Sequence, residues 1–179
     1  LDDEFAGEVS EFDTLEEYKK DLEAKLKETK AKQAAVDNEN HVVEKVVKAA
    51  TMEIPDRMVE SHIDSMMQET ARRMQSQGLS MDLYMKDTGM DEEQMRNQMR
   101  PQALTRIQTR LVLEAVAKAE NIQISDEKLD EEIAKMAETY QMEADKLKEF
   151  MSERDKEQMK EDLAVQAAVD LLVAEAKLV

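Results

Sequence analysis

The feature that most limits what this chain can become is its lack of chain breakers. Gly7, Gly78, Gly89, Pro55 and Pro101 are the only glycines and prolines in 179 residues. Hairpins and sandwiches draw on these residue types for their tight turns, so the chain is read as long helices joined by few links. Apolar residues recur at steps of three and four over much of the chain, which is the period of one helical face.

The stretch "DTLEEYKKDL" opens the first long helix, with Thr14 as cap and Glu17 three residues on. Leu15, Tyr18, Leu22, Leu26, Val36, Val43, Val46 and Val47 follow on one face, and no breaker occurs before Thr51. A helix over 14–50 would be roughly 55 Å long. Its middle is nearly free of apolar residues, so it is expected to project across a gap.

Pro55 suits a first helical turn and Gly78 a helix end. Between them runs the stripe Val59, Ile63, Met66 or Met67, Thr70 and Met74. Ser80 and Gly89 bracket a short helix with Met81, Leu83, Tyr84 and Met85. Asp91 and Gln94 start the next, reaching about Glu120, and Pro101 is expected to kink or interrupt it near Met99 and Arg100. Ser125 caps a helix to about Tyr140; a short one near 143–151 and a long one from Ser152 to Lys177 complete the chain. The fold class is all-α, and the spacing implies an elongated multi-helix domain.

A repeat runs through this pattern. "VEKVVKAATMEIPDRMVESHIDSMMQET", residues 43–70, aligns without gaps on "LEAVAKAENIQISDEKLDEEIAKMAETY", residues 113–140. Glu44, Val46, Lys48, Ala49, Ile54, Asp56, Ile63 and Met66 recur as Glu114, Val116, Lys118, Ala119, Ile124, Asp126, Ile133 and Met136. Each unit is a helix end, an extended link with an inward Ile, and a new helix start. The tail "LLVAEAKLV" resembles the opening of a third unit. With Leu1 in place of an initiator Met, the chain reads as a piece of something longer.

A net charge of −17 argues against binding phosphate backbones or anionic lipid. No run nears the ~18 apolar residues of a membrane span. Without cysteine there are no disulfides or thiolate metal sites, which fits a reducing compartment. His41 and His62 have no companion ligands, and the acidic "SDEKLDEEI" lacks the glycine turn of a calcium loop. No phosphate loop or nucleophile elbow occurs, so no catalytic residue, metal or cofactor is expected.

The methionines stand apart. Met52, Met58, Met66, Met67, Met74, Met81, Met85, Met90, Met95 and Met99 are ten of the chain's 14, against three Phe, three Tyr and no Trp. Some could fill a core in place of Leu. Their number exceeds one narrow helical stripe, however, and a core of unbranched residues specifies a single structure poorly. These ten are therefore read as an adaptable apolar surface, of the kind that accepts varied partners.

"LDDEFAGEVSEFDTLEEYKKDLEAKL", "EIPDRMVESHID", "RIQTRLVLEAVAKAENIQISDEKLDEEIAKMAETY" and "DLAVQAAVDLLVAEAKLV" together resemble bacterial trigger factor, over essentially all 179 residues. The resemblance implies the carboxy-terminal chaperone domain, a helical body with projecting arms that cradle nascent or unfolded polypeptides. It further implies a cytoplasmic, ATP-independent holdase. Residues 1–179 would be one client-binding domain, with the long helix at 14–50, a Met-rich arm at about 52–100, and a second arm and body at about 101–179. The family's ribosome-binding Gly-Phe-Arg segment and its prolyl-isomerase domain are not among these residues. Ribosome contact and isomerisation are therefore expected only from an upstream part. The competing reading is a non-catalytic helical adaptor that binds one folded partner or self-associates through the Met surface.

Overall fold

The computed structural model describes residues 2–177. Eight helices and no strand occur among them. The chain divides into two compact units, the first ending at Val42 and the second beginning at Val43.

In the first unit, α1 (Asp3–Val9) is capped by Asp2, whose carboxylate accepts from the Phe5 N–H at 3.1 Å. Ala6 is fully buried there. The long helix α2, Leu15–Ala49 where the spacing predicts 14–50, runs from the first unit into the second. Thr14 Oγ1 accepts from the Glu17 N–H at 3.3 Å and donates to Glu17 Oε2 at 3.0 Å. The orphan N–H of Leu15 is satisfied from outside the helix: Asp3 of α1 accepts it at 2.8 Å. No residue of α2 is buried. Its surface carries acid-then-base pairs one turn apart, Glu16–Lys20, Asp21–Lys25, Glu23–Lys27 and Glu28–Lys32, in the order that suits the helix dipole.

The second unit holds α3 (Asp56–Ser76), α4 (Met81–Thr88), α5 (Glu92–Ala119), α6 (Asp126–Thr139), α7 (Ala144–Phe150) and α8 (Glu153–Glu175). Helix α5 is its axis, with α3 and α8 both packed on it; α6 packs on α7 and α8. The expected starts are present: Ser80, Asp91 with Gln94, Ser125 and Ser152 all cap through their side chains. Pro55 lies one step earlier than a first-turn position, as the N-cap of α3.

Val59, Ile63 and Met66 of α3 are buried with Ala103 and Ile107 of α5, and Ile54, Met67, Met99, Leu104 and Leu111 pack around them. Farther along, Val112, Leu113 and Ala117 of α5, Leu129, Ile133 and Ala137 of α6, and Ala168 of α8 are buried. Helix α5 runs unbroken through Pro101, so no interruption occurs at Met99 and Arg100. Residues on both sides of the proline are tied to α3, by Arg96 and Arg100 before it and by Ala103 and Ile107 after it. That packing outweighs the one backbone bond a proline removes.

The repeat is a repeat of structure. Ala49 and Ala119 are the last residues of α2 and α5, and Asp56 and Asp126 the first of α3 and α6. Ile63 and Ile133 are each 1% exposed. The correspondence continues past the sequence match: each second helix turns back through a left-handed residue, Gly78 at φ 75° and Gln141 at φ 54°, into a short helix and then a long one. Helix α5 closes the first half and opens the second. Leu178 and Val179, the last residues of the stretch read as the opening of a third unit, lie outside the described residues.

Candidate functional site

The ten methionines do not share one environment. Met66 and Met95 are 6% and 5% exposed and cannot form part of a binding surface, which corrects the expectation for both. Met66 lies on the α3 stripe of Val59 and Ile63 that faces α5, and Met67 of α3 and Met99 of α5 pack against that core. Met52, Met74, Met81, Met85 and Met90 are half-buried, and Met58 is exposed. Met85 and Met90 line an open recess at the end of α4, floored by Gly89. Met58 lines a groove beside α5 with Pro55, Ser61, His62 and Ile107. His62 Nε2 is buried there without a hydrogen-bond partner among the described residues.

Other apolar side chains of the second unit are exposed too. Leu79, Leu83 and Tyr84 stand out after the α3 turn, and Tyr140, Met142 and Phe150 after the equivalent α6 turn. Phe150 is 79% exposed and Tyr140 65%. None of the six aromatic side chains is buried. In an ordinary domain such residues dominate the core, so their position outside is the informative departure. The sequence carried one signal for them. Leu79 and Met142 directly follow the residues that turn left-handed, where neither helix stripe can claim them.

A second groove of about 460 Å³ runs between α6 and α8, lined by Met136, Met151, Met159 and Leu163 with Glu132 and Asp155 at its rim. Met136 is the repeat partner of Met66. In the first half this position is sealed under α5; in the second it opens onto the groove.

Ion pairs tie together the helices that carry these surfaces. Arg96 is bound by Glu60 and Asp64 of α3, which raise its guanidinium above its ordinary value, and Arg100 pairs with Asp56 and Glu60. Lys160 of α8 reaches Asp126 of α6 at 2.5 Å and lowers its carboxyl, while Lys148 of α7 is raised by Asp130. The acidic stretch read against a calcium loop thus faces lysines. No group of three or more His, Cys, Asp or Glu able to hold a metal occurs among the described residues. No described helix is long and apolar enough to cross a membrane. Among the described residues, the apolar side chains that reach the surface are scattered over several places.

Comparisons with known proteins point to one family. Residues 14–174 match the profile of the family described as bacterial trigger factor protein C-terminus. The trigger factor of Lachnoclostridium phytofermentans is 54% identical over 176 residues, covering 98% of this chain and 41% of that protein. That of Agathobacter rectalis is 44% identical, covering 99% and 40%. The chain therefore spans about two-fifths of the length of these relatives. A solved structure of trigger factor domains from Thermotoga maritima superposes with a TM-score of 0.61 at 22% identity, covering 79% of this chain and 82% of that one, a likeness of fold. A structure of the trigger factor chaperone, described for promiscuous substrate recognition in folding and assembly, superposes at 0.58 with 25% identity, covering 99% and 43%. With its matched span, its all-helical halves and these relatives in agreement, the chain belongs to the bacterial trigger factor family, in the C-terminal region of its members.

Proposed function

We propose that this chain is a client-holding region of an ATP-independent chaperone, binding exposed apolar segments of unfolded or nascent polypeptides. The observation that carries this is the outward placement of Leu83, Tyr84, Tyr140, Met142 and Phe150 at two equivalent turns of an acidic helical frame. Each contact contributes on the order of 25 cal/mol per Å² before ordering costs, so several scattered patches give weak and quickly reversible holding. Strong negative charge keeps the loaded chain dispersed. Residues 1–179 act as one such region, with the methionine-bearing arm at about 52–100 and the second arm and body at about 101–179. Among the ten methionines, Met58 is the best placed for a client, and Met52, Met74, Met81, Met85 and Met90 are partly accessible to one. The chain works in the cytoplasm, meets ribosomes only through upstream parts of the whole protein, and carries no catalytic step of its own.

The test is a titration of methyl-labelled methionines and ring-labelled tyrosines, first with a chemically unfolded client and then with its folded form. Shifts at Met58, Tyr84, Tyr140 and Met142 with the unfolded client alone are expected. Saturation by one folded partner, or by a second copy of the chain, would favour the adaptor instead.

A further inference from the structure

The fourteen methionines carry all the side-chain sulfur of a chain without cysteine, and their exposure is graded. Met58 and Met142 are 42% and 40% exposed, while Met66 and Met95 are sealed. The other ten are half-buried. Leucine has a similar helix propensity and a similar volume, so at an exposed helical position such as Met58 the distinct contributions of methionine are a flexible stem and an oxidisable sulfur. Met58 lies along the groove beside Ile107 and Met142 is close in sequence to Tyr140 at the α6 turn, so both side chains adjoin apolar surface and are open to water and small solutes.

We propose that Met58 and Met142 are sites of reversible oxidation by hydroperoxides, and that their conversion to sulfoxide turns down the holding of apolar clients. The second half rests on the proposed function. In the step, a sulfur lone pair attacks one oxygen of hydrogen peroxide; the O–O bond breaks as the S–O bond forms. The sulfur is oxidised by two electrons. The proton on the transferred oxygen passes to the departing hydroxide, which leaves as water. A thiol-dependent methionine sulfoxide reductase supplies two electrons and two protons for the return, releasing water. The sulfoxide oxygen is a strong acceptor, and an apolar client side chain lying over it would bury that acceptor unpaired. Met66 and Met95 keep the fold through this change because oxidant does not reach them.

The test exposes the full chain to hydrogen peroxide, follows each methionine by peptide mass spectrometry, and measures affinity for a chemically unfolded client before and after. Met58 and Met142 are expected to convert first and Met66 and Met95 last, with unchanged helical circular dichroism. Affinity should fall about tenfold, the effect of losing one well-buried apolar contact, and return after reductase treatment. In Met58→Leu/Met142→Leu, whatever its starting affinity, the same exposure should change binding less than about twofold, well under 1 kcal/mol. Oxidation of Met66 as fast as Met58, or an equal loss of affinity in the double variant, would overturn the proposal. A chain that binds no unfolded client even before treatment removes the holding function and the second half with it; the order of oxidation then decides the sites alone.

Discussion

Arg96 on α5 and Glu60 on α3 meet at 2.8 Å, and the same guanidinium reaches Asp64 at 2.7 Å, one turn farther along α3. With Arg100 on Asp56 and Glu60, this makes a ladder of charge along the open side of a seam whose closed side is Val59, Ile63, Ala103 and Ile107. The ladder fixes register and the apolar side supplies most of the stability, because exposed ion pairs are screened by water. Arg96→Gln is therefore expected to lower the thermal midpoint by only a few degrees. Added salt should narrow the gap between variant and parent. Thermal melts at low and high salt check both; a gap that widens with salt would mean the ladder is not electrostatic.

The apolar side should behave differently. Ile63 and Ile133 are each 1% exposed and hold equivalent places in the two halves, but Ile133 is not part of the cluster around Ile63. Ile63→Ala and Ile133→Ala are each expected to cost about 3 kcal/mol, the usual range for a buried aliphatic cut back to Ala. Their effects should add to within about 0.5 kcal/mol, since the sites share no partners. Denaturant unfolding of the single and double variants gives the three values; strong coupling would show that the halves share one core.

Gln141 holds a left-handed backbone at φ 54° where the first half uses Gly78 at φ 75°. A side chain in this region costs about 1 kcal/mol that glycine avoids. Gln141→Gly should thus stabilise the chain by about 0.5–1 kcal/mol. Gly78→Ala should destabilise it by about 1 kcal/mol through backbone strain, since nothing lies within 4 Å of the added Cβ. Opposite signs in the two melts are the expected result, and equal signs would refute the equivalence of the turns.

These sites mark how far the sequence could be read. The helix starts at Ser80, Asp91, Ser125 and Ser152 were legible because a cap and the residues it serves lie within one turn. The repeat was legible because Ile63 and Ile133 stand at the same distance from the aspartate that opens each helix. Asp3 capping Leu15 was not, since nothing local ties residues twelve apart. Nor could periodicity decide burial: it placed Met66 on an apolar stripe but not under a neighbouring helix. It also gave no hint that Tyr140 and Phe150 lack one, because what covers a face is set by helices remote in sequence. Pro101 shows the reverse case, a local break signal that does not end the helix, with partners on both sides.

Asp126 gives a pH test with a definite sign. Its hydrogen bond from Lys160 holds the carboxyl below its ordinary value. The link between α6 and α8 is therefore fully present above about pH 3.9, the value expected of an unfolded Asp. It is lost as pH falls through the lower folded value. Lys160 is raised by the same bond, so its share is present below about pH 10.4 and is lost as pH climbs through the higher folded value. Carboxyl-carbon NMR should find an Asp126 midpoint below 3.9 that returns to about that value in Lys160→Met. A midpoint unmoved by the substitution would place the cause elsewhere.

The last expectation separates surface from core by a single kind of change. Phe150, at 79% exposed, and Tyr140, at 65%, contribute little to the folded chain, so Phe150→Ser and Tyr140→Ser should each shift stability by no more than about 0.5 kcal/mol. If clients cover these rings, each loss should weaken holding of an unfolded chain by up to about tenfold, less where the ring is only partly covered. Met66→Ser should do the opposite, removing a sealed contact beside Ile63 and costing about 3 kcal/mol of stability. Its effect on client affinity should be small wherever the variant remains folded, because Met66 offers a client nothing to touch. Paired denaturation and client-binding curves for the three variants give a crossed pattern under this reading. Parallel losses of stability and binding would instead mean that clients recognise a loosened fold and that the exposed rings do not hold them.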